Sequence, residues 1–513
     1  MKSKLMYAGA LASLVALALS VYQPYSGDAQ GIAPAPRGPV LKPKQIQIDL
    51  DKAVRISVPA LKDDLKPYKF KTPDGKECWA LRITGGRPIA TPAYWGGMVF
   101  IGGGYGSHEF YAFDARTGAL KWKVNTGDDG PTAAVVENGL VAFNTESCTV
   151  YVLDARTGKV VWQEWLGDPL MSQPAIAGGR LYMCYPAGQS GAHHNTNQQS
   201  NVIAQFLFKL KPVISSMSHR LLCADLKTGR HLWEQPLPAE VISAPVFDRG
   251  KVYTTCHDGS SWCFDAVRGS VLWTKKAAAT SAPVVVAGQM VITQKQSRNN
   301  KIYEGIKRVD ALKGKETDAS LLAASEASYL DADKGGGVAL AHSQTQSLDA
   351  SVGFASAPGA ANLISSNEHL GVSSVVGGWA YQGARPVVKD SRIMNAQGTR
   401  LNSLPMAGGT GWQADLKGKN VRSDQQVFSP PALGKANIYL CSADGHLLSV
   451  NQQNGKVQFL YATEQPMTFQ PALADGNMYA GTSNGILFCV NTGSTDADGW
   501  SAWGGNAQHN KSD

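Results

Sequence analysis

The chain predicts an all-β fold: an eight-bladed β-propeller of four-stranded antiparallel blades, with the last blade closed by an N-terminal strand. A strand–turn–strand phrase recurs as "FYAFDARTGALKW", "VYVLDARTGKVVW", "LLCADLKTGRHLW" and "WCFDAVRGSVLW". The copies keep time, because Asp114 to Asp154, Asp225 to Asp265 and Asn451 to Asn491 each span 40 residues. Each end of the repeat region carries half a copy. A fixed period of this length with four short strands per copy is the mark of a propeller.

Within a copy, the acid at Asp114, Asp154, Asp225, Asp265 or Asp310 (Asn451 and Asn491 later) opens a turn by accepting from backbone N–H groups. A glycine follows by four residues at Gly118, Gly158, Gly229, Gly269, Gly314 and Gly455, supplying a backbone angle that other residues resist. Four further on stands an aromatic: Trp122, Trp162, Trp233, Trp273 or Phe459. Its flat face suits burial against a neighbouring sheet. Alternation in "VYVLD" is the strand period. Each copy opens with Pro before Ala or Val, at Pro92, Pro174, Pro245, Pro283, Pro386, Pro431 and Pro471, with Pro131 as a shifted version. Proline is tolerated at the first residue of a strand. A Gly turn, a second strand and a hairpin such as "ADGH" complete eight copies of four strands.

The ends decide between an open stack and a ring. "DGKECW" sets Gly75 four residues before Trp79, the tail of a copy without its front. "ILFCVNTGS" at 486–494 is a front without a tail. Joined, they make one blade, and closure hides the sheet edges that an open stack would expose. If the turn register of the second blade holds, Cys489 is expected to face Cys78, where a disulfide would staple the ring. The other cysteines suggest restraint: Cys223 and Cys263 occupy the slot of Ala112 and Val152, a small buried site that suits a free thiol.

The domain reading is a signal peptide at 1–29, an extension at 30–74, the propeller at 75–493 and a tail at 494–513. Lys2 and Lys4 before the apolar run Leu5–Val21, then "YQPYSGDAQG", give the order of a secretory signal. With it removed, no membrane span is expected, and the protein belongs in the periplasm or outside the cell. Composition agrees with a folded chain at 43% hydrophobic and 17% charged residues. A net charge of +8 over 513 residues, with no Lys/Arg run, argues against nucleic acid as a partner.

Two segments break the period. Pro174 to Asp225 is 51 residues where Pro245 to Asp265 is 20, and Asp310 to Pro386 is 76. These insertions, about 185–218 and 316–378, are long enough to be functional. The sixth copy also departs, with Pro405 where Asp is expected. Little else carries chemistry. His193 and His194 stand side by side in the first insertion with no ligand at metal spacing. His257 and His446 sit at hairpin turns, and the glycines of "IGGGYGSHEF" lie in a strand and hairpin, not in a phosphate loop. The axis offers more. Residues just before the Pro signal approach the central funnel: Thr91, Gln173, Arg385 and Gln470, with Ser172, Ser243, Ser281 and Ser429 one step earlier. Trp379 and Tyr381 add aromatics near Arg385. These six, Thr91, Gln173, Arg385, Gln470, Trp379 and Tyr381, are the candidate ligand set, beside the plainer expectation of a water-filled channel whose polar groups satisfy one another.

The strings "AFDARTGALKW", "VLDARTGKVVW" and "CADLKTGRHLW" resemble the pyrroloquinoline-quinone-like (PQQ-like) repeat of quinoprotein alcohol dehydrogenases and of the outer-membrane assembly factor BamB. The resemblance spans residues 75–493 and implies Trp residues docking blade against blade. The closing "DGWSAWGGNAQHN" also looks like a segment that borders such propellers. Function transfers less readily. The dehydrogenases have two adjacent cysteines over the cofactor, and this chain has no Cys-Cys pair; their calcium ligands and catalytic acids find no match either. BamB is a lipoprotein, and no Cys follows the signal here. The sequence therefore points to a non-catalytic scaffold of the cell envelope, with no cofactor expected, that binds a protein or envelope component through the insertions. A quinone-dependent oxidoreductase with PQQ in the funnel is the alternative.

Overall fold

The computed structural model describes residues 43–498, except 105, 146–147, 167–171, 188–216, 243, 257, 277–278, 280–281, 287, 299–300, 318–323, 327–385, 398, 406–409, 422–427 and 468. Eight sheets follow one another in chain order. Blade 1 spans Ala93–Asn125, blade 2 Val135–Trp165, blade 3 Ala175–Leu237 and blade 4 Val246–Lys276. Blade 5 spans Val284–Glu326, blade 6 Pro386–Lys417 and blade 7 Ala432–Ala462. Blade 8 joins three strands within Ala472–Asn491 to the N-terminal strand Glu77–Arg82. The innermost strands touch in sequence around the axis, and that of blade 8 touches that of blade 1, so the ring closes.

Closure is antiparallel, Ile486 opposite Arg82 through Cys489 opposite Trp79. This corrects the cysteine expectation. In blade 2, Val152 faces Trp162 and Leu153 faces Val160, leaving Val161 as the extra residue of a β-bulge. Blade 8 keeps that register, which puts Trp79 opposite Cys489 and Cys78 at the place of Val161. All eight cysteines are free and buried. The Cys78 thiol donates to Lys76 O at 3.5 Å, and its sulfur accepts from Asn491 N at 3.4 Å.

The repeat signature has a mechanical use in the turn. Asp154 Oδ1 accepts from Thr157 N at 2.8 Å and from Thr157 Oγ1 at 2.7 Å, and Gly158 at φ +72° donates to Asp154 O. Each turn is also a platform for the preceding blade. Trp122 Nε1 donates to Ala155 O at 3.1 Å, and its ring lies so close over Gly158 that a β-carbon there would sit 2.7 Å from the indole. The same bond joins Trp79 to Ala115, Trp162 to Leu226, Trp233 to Ala266 and Trp273 to Ala311. Trp412, in the degraded sixth copy, reaches Gln452 O at 2.9 Å. Between the blades lie eight apolar clusters, one at each junction.

Three blades carry a fifth strand that the repeat does not announce. Lys44–Asp49 runs parallel to the outer strand of blade 6, Val54–Arg55 parallel to that of blade 7, and Tyr68–Lys71 antiparallel to the closing strand of blade 8. This strap buries Ile48, Leu50, Ile56 and Phe70. At the other terminus, Asp496 docks on blade 7, accepting from Ala436 N at 2.5 Å and from Asn437 Nδ2 and Tyr439 Oη at 2.8 Å.

Candidate functional site

Strand pairing decides which face of the ring holds what. Ala93 lies opposite Phe100, Gly102 opposite Phe110 and Glu109 opposite Asn125. The start of strand 1, the strand 2–3 hairpin and the end of strand 4 therefore share one face. The other face holds the strand 1–2 turns and the Asp–Gly turns. The first insertion leaves the strand 2–3 hairpin of blade 3, between strands Arg180–Pro186 and His219–Asp225. The second, expected from about 316, starts later, because Ala324–Glu326 still pairs as strand 4 of blade 5; it lies between Glu326 and Pro386, at the start of blade 6. Both roots lie on the first face. So does a longer hairpin in blade 5, whose strands Gln289–Arg298 and Lys301–Asp310 have 10 residues each, against 5 and 6 in blade 4. Among the described residues, both insertion roots and the long hairpin thus emerge from one face, within the arc of blades 3 to 6.

The root of the first insertion is well fixed. Ala187 N donates to Ser218 O at 2.9 Å, and Ser218 Oγ donates to Pro238 O at 2.8 Å. Beside it, on the connection to blade 4, Glu240 is 2% exposed and accepts from Ser172 N at 2.8 Å. Burial, and then the charge of Glu240 and the neighbouring Cys256, push the Cys184 thiol well above its ordinary range. Sequence reading missed Glu240, a single acid in the apolar "LPAEVISAP" with no motif around it.

The inner-ring candidates divide. Thr91, Ser172, Gln173, Ser429 and Gln470 lie on the first face, but all are buried at 1% exposure or less. Gln470 Nε2 donates to Pro431 O at 2.6 Å, and Ser429 Oγ accepts from Cys441 N at 3.0 Å. These bonds tie blade to blade and strand to strand. Among the described residues, Thr91 Oγ1, Ser172 Oγ and Gln470 Oε1 have no hydrogen-bond partner. Each would need an ordered water or a polar ligand. Arg385, Trp379 and Tyr381 lie outside the described residues, as do Ser243, Ser281, His193, His194, His257, residues 1–42 and the bodies of both insertions. His446 is described: its Nδ1 lies 3.0 Å from Ser442 Oγ, and burial lowers its pKa, in keeping with a turn histidine.

A PQQ-type quinone carries carboxylates and is held with a metal ion. Thr91, Gln173 and Gln470 are neutral and offer those carboxylates no charge. Among the described residues, no group of three or more His, Cys, Asp or Glu side chains is placed to hold a metal. The described members of the candidate set supply neutral polar groups only.

A family profile described as outer membrane protein assembly factor BamB matches residues 106–198, 210–343 and 364–503, most of the ring. The chain belongs to this BamB-type family of PQQ-like repeat propellers. No curated protein sequence matches the chain significantly. Among solved structures, the computationally designed Ika8 protein aligns over 79% of this chain and 96% of its own, at 14% identity and a TM-score of 0.51. BamB from Moraxella catarrhalis aligns over 82% of this chain and 97% of its own, at 13% identity and a TM-score of 0.47. Quinohemoprotein alcohol dehydrogenase from Comamonas testosteroni aligns over 85% and 78%, at 12% and 0.47. At such identities the designed protein bears on fold alone, and the other two decide nothing between scaffold and enzyme.

Proposed function

We propose that this BamB-type propeller is an exported, non-catalytic scaffold of the cell envelope, which holds a protein or envelope partner on the face that carries both insertions. The observation behind this reading is the convergence of the two insertion roots and the long blade 5 hairpin on one arc of one face. Repeat scaffolds keep structure in the copies and place specificity in the loops that leave them. Periplasmic or secreted placement rests on the signal-like N-terminus and on family membership. No helix among the described residues is long and apolar enough to cross a membrane.

The test is photocrosslinking in native envelopes, with a photoreactive residue at position 298 on the blade 5 hairpin and a control at Lys159, an exposed turn on the opposite face. A partner captured from 298 and not from 159, and lost on deleting both insertions while the fold survives, supports the assignment. Capture that survives both deletions, or that comes equally from 159, refutes it. The quinone enzyme remains the second reading. Stoichiometric retention of added quinone with calcium, coupled to dye reduction, would favour it.

A further inference from the structure

We propose that the outer rim at the junction of blades 4 and 5 is a docking site for an extended segment of another protein, apolar and acidic in make-up. The repeat places a basic residue two positions after its acid at Arg116, Arg156 and Lys227. Blades 4 and 5 place Val267 and Leu312 there. Neither side chain is folded inward, since Val267 is 63% exposed and Leu312 53%. The start of the outer strand of blade 4 continues the patch, with Val271 43% and Leu272 45% exposed. Half-buried Trp273 spans the two blades: its Nε1 donates to Ala311 O at 2.9 Å, next to Leu312, and its ring lies over Gly314. Apolar side chains scattered singly over a surface need no explanation, but four gathered about one indole mark an interaction site.

The chain shows what fits such a place, because its own strap fills two equivalent ones. At junction 6/7, Lys44–Asp49 runs along the outer strand of blade 6, with Lys44 opposite Trp412. Ile46 lies over Gly455 beside the Trp412 ring, and Trp412 is left 1% exposed. At junction 8/1, Pro67 Cβ and Trp79 Cδ2 each stand 2.8 Å from the place a β-carbon on Gly118 would take, and Trp79 is left 2% exposed. In both cases an extended segment beside the outer strand sets one compact apolar residue on the turn glycine, at the edge of a docked indole.

At junction 4/5 the corresponding parts are the outer strand Val271–Lys276, Trp273 and Gly314. Among the described residues that strand is the last of its sheet, so its outer backbone groups suit an added strand, as those of blade 6 do. Charge then selects the sign of the partner. Arg268, Lys276, Lys313 and Lys315 stand exposed around the patch. The carboxylate of Glu316 is held by Lys275 at 2.9 Å and by Lys307. A segment with carboxylates beside its apolar residues complements that rim. The strap stretch "QIQIDLD", residues 45–51, has this composition, with two isoleucines, a leucine and two aspartates.

Val267 and Leu312 belong to Asp–Gly turns, which lie on the face opposite the insertion roots. The site is therefore a second surface, and it does not depend on what the insertions hold.

The test uses the full-length protein and a fluorescent synthetic peptide, QIQIDLD, followed by anisotropy. The peptide should bind saturably and slow hydrogen exchange along Val271–Lys276. The double substitution Val267→Ser and Leu312→Ser, at two exposed turn positions, should weaken binding at least about tenfold. Val161→Ser, at an exposed position on blade 2, should leave it unchanged. Changing both aspartates of the peptide to asparagine should weaken binding about threefold at low salt. Lack of saturable binding would overturn the proposal. So would binding that the double substitution leaves intact, which would mean that the peptide displaces the strap from blade 6. Self-association of the protein that the double substitution abolishes would also overturn it, by giving the patch to a second copy of the chain.

Discussion

Replacing Gly158 with Ala tests whether the repeat glycine exists for its turn alone or also for the indole above it. At φ +72° an alanine would be strained by about 1–2 kcal/mol. Its β-carbon would also stand 2.7 Å from Trp122 Cδ2 and Cε3, far inside contact distance, and overpacking of this kind costs about 1–3 kcal/mol. Gly158→Ala should therefore lose about 3 kcal/mol in all. Gly127, at φ +67° with nothing within 4 Å of the place a β-carbon would take, isolates the backbone part, so Gly127→Ala should lose only about 1 kcal/mol. Trp122→Ala removes a half-buried indole and its bond to Ala155 O, for about 3 kcal/mol. With the indole gone, the clash is gone too, and Gly158→Ala should then cost about 1 kcal/mol. The double-mutant cycle, read from guanidinium unfolding of the four proteins, should give a coupling of about 2 kcal/mol. Costs that add within about 0.5 kcal/mol would show that ring and glycine do not meet, and the docking geometry would be wrong.

A pH-dependent link joins blades 2 and 3. His231 lies 2.9 Å from both Glu164 Oε2 and Glu234 Oε1. Burial alone would lower its pKa, but the two carboxylates outweigh burial and hold it at about 9. Because that lies above the free value of 6.5, the stabilisation is complete below pH 6.5 and disappears as pH rises through 9. Its full size is on the order of 3 kcal/mol. His231→Gln should flatten the fall in stability between pH 6.5 and 9, and a fall unchanged by the substitution would exclude the link. The thiols give another check. Burial pushes Cys78 and Cys223 up to about 11 and Cys263 to about 12, so none should react with a disulfide reagent in native protein at pH 8, and all eight should react once it is unfolded. A 78–489 linked peptide from unreduced protein would contradict the blade 8 register.

The sequence made the ring legible because its signals are local and repeated. An Asp, a Gly and a Trp at fixed spacing mark each turn, and two half-copies mark the closure. What it hid depends on residues far apart in the chain. "KQIQID" and "VR" read as nothing in particular, since a parallel fifth strand has no turn beside it to announce its partner 368 or more residues away. The second use of each glycine belongs to an indole of the preceding blade. Trp412 is obscured in the sequence because Pro405 displaces the acid that would have flagged it. The candidate site is half visible there. Both insertions stand out by length, but only strand pairing shows that they share a face. Thr91, Gln173 and Gln470 do precede the inner strands, yet their burial follows from how neighbouring blades close over them.

Closure by the N-terminal strand underlies the ring and its two faces, and one crosslink tests it directly. Ile83 N donates to Gly485 O, so the next pair, Arg82 and Ile486, is a non-hydrogen-bonded pair, with Cα atoms about 4.5 Å apart. That spacing suits a disulfide. The protein carrying Arg82→Cys and Ile486→Cys should yield an 82–486 linked peptide in near-stoichiometric amount on mild oxidation, with native stability retained or raised. Free thiols at both positions in folded, oxidised protein would mean that the two chain ends do not share a sheet.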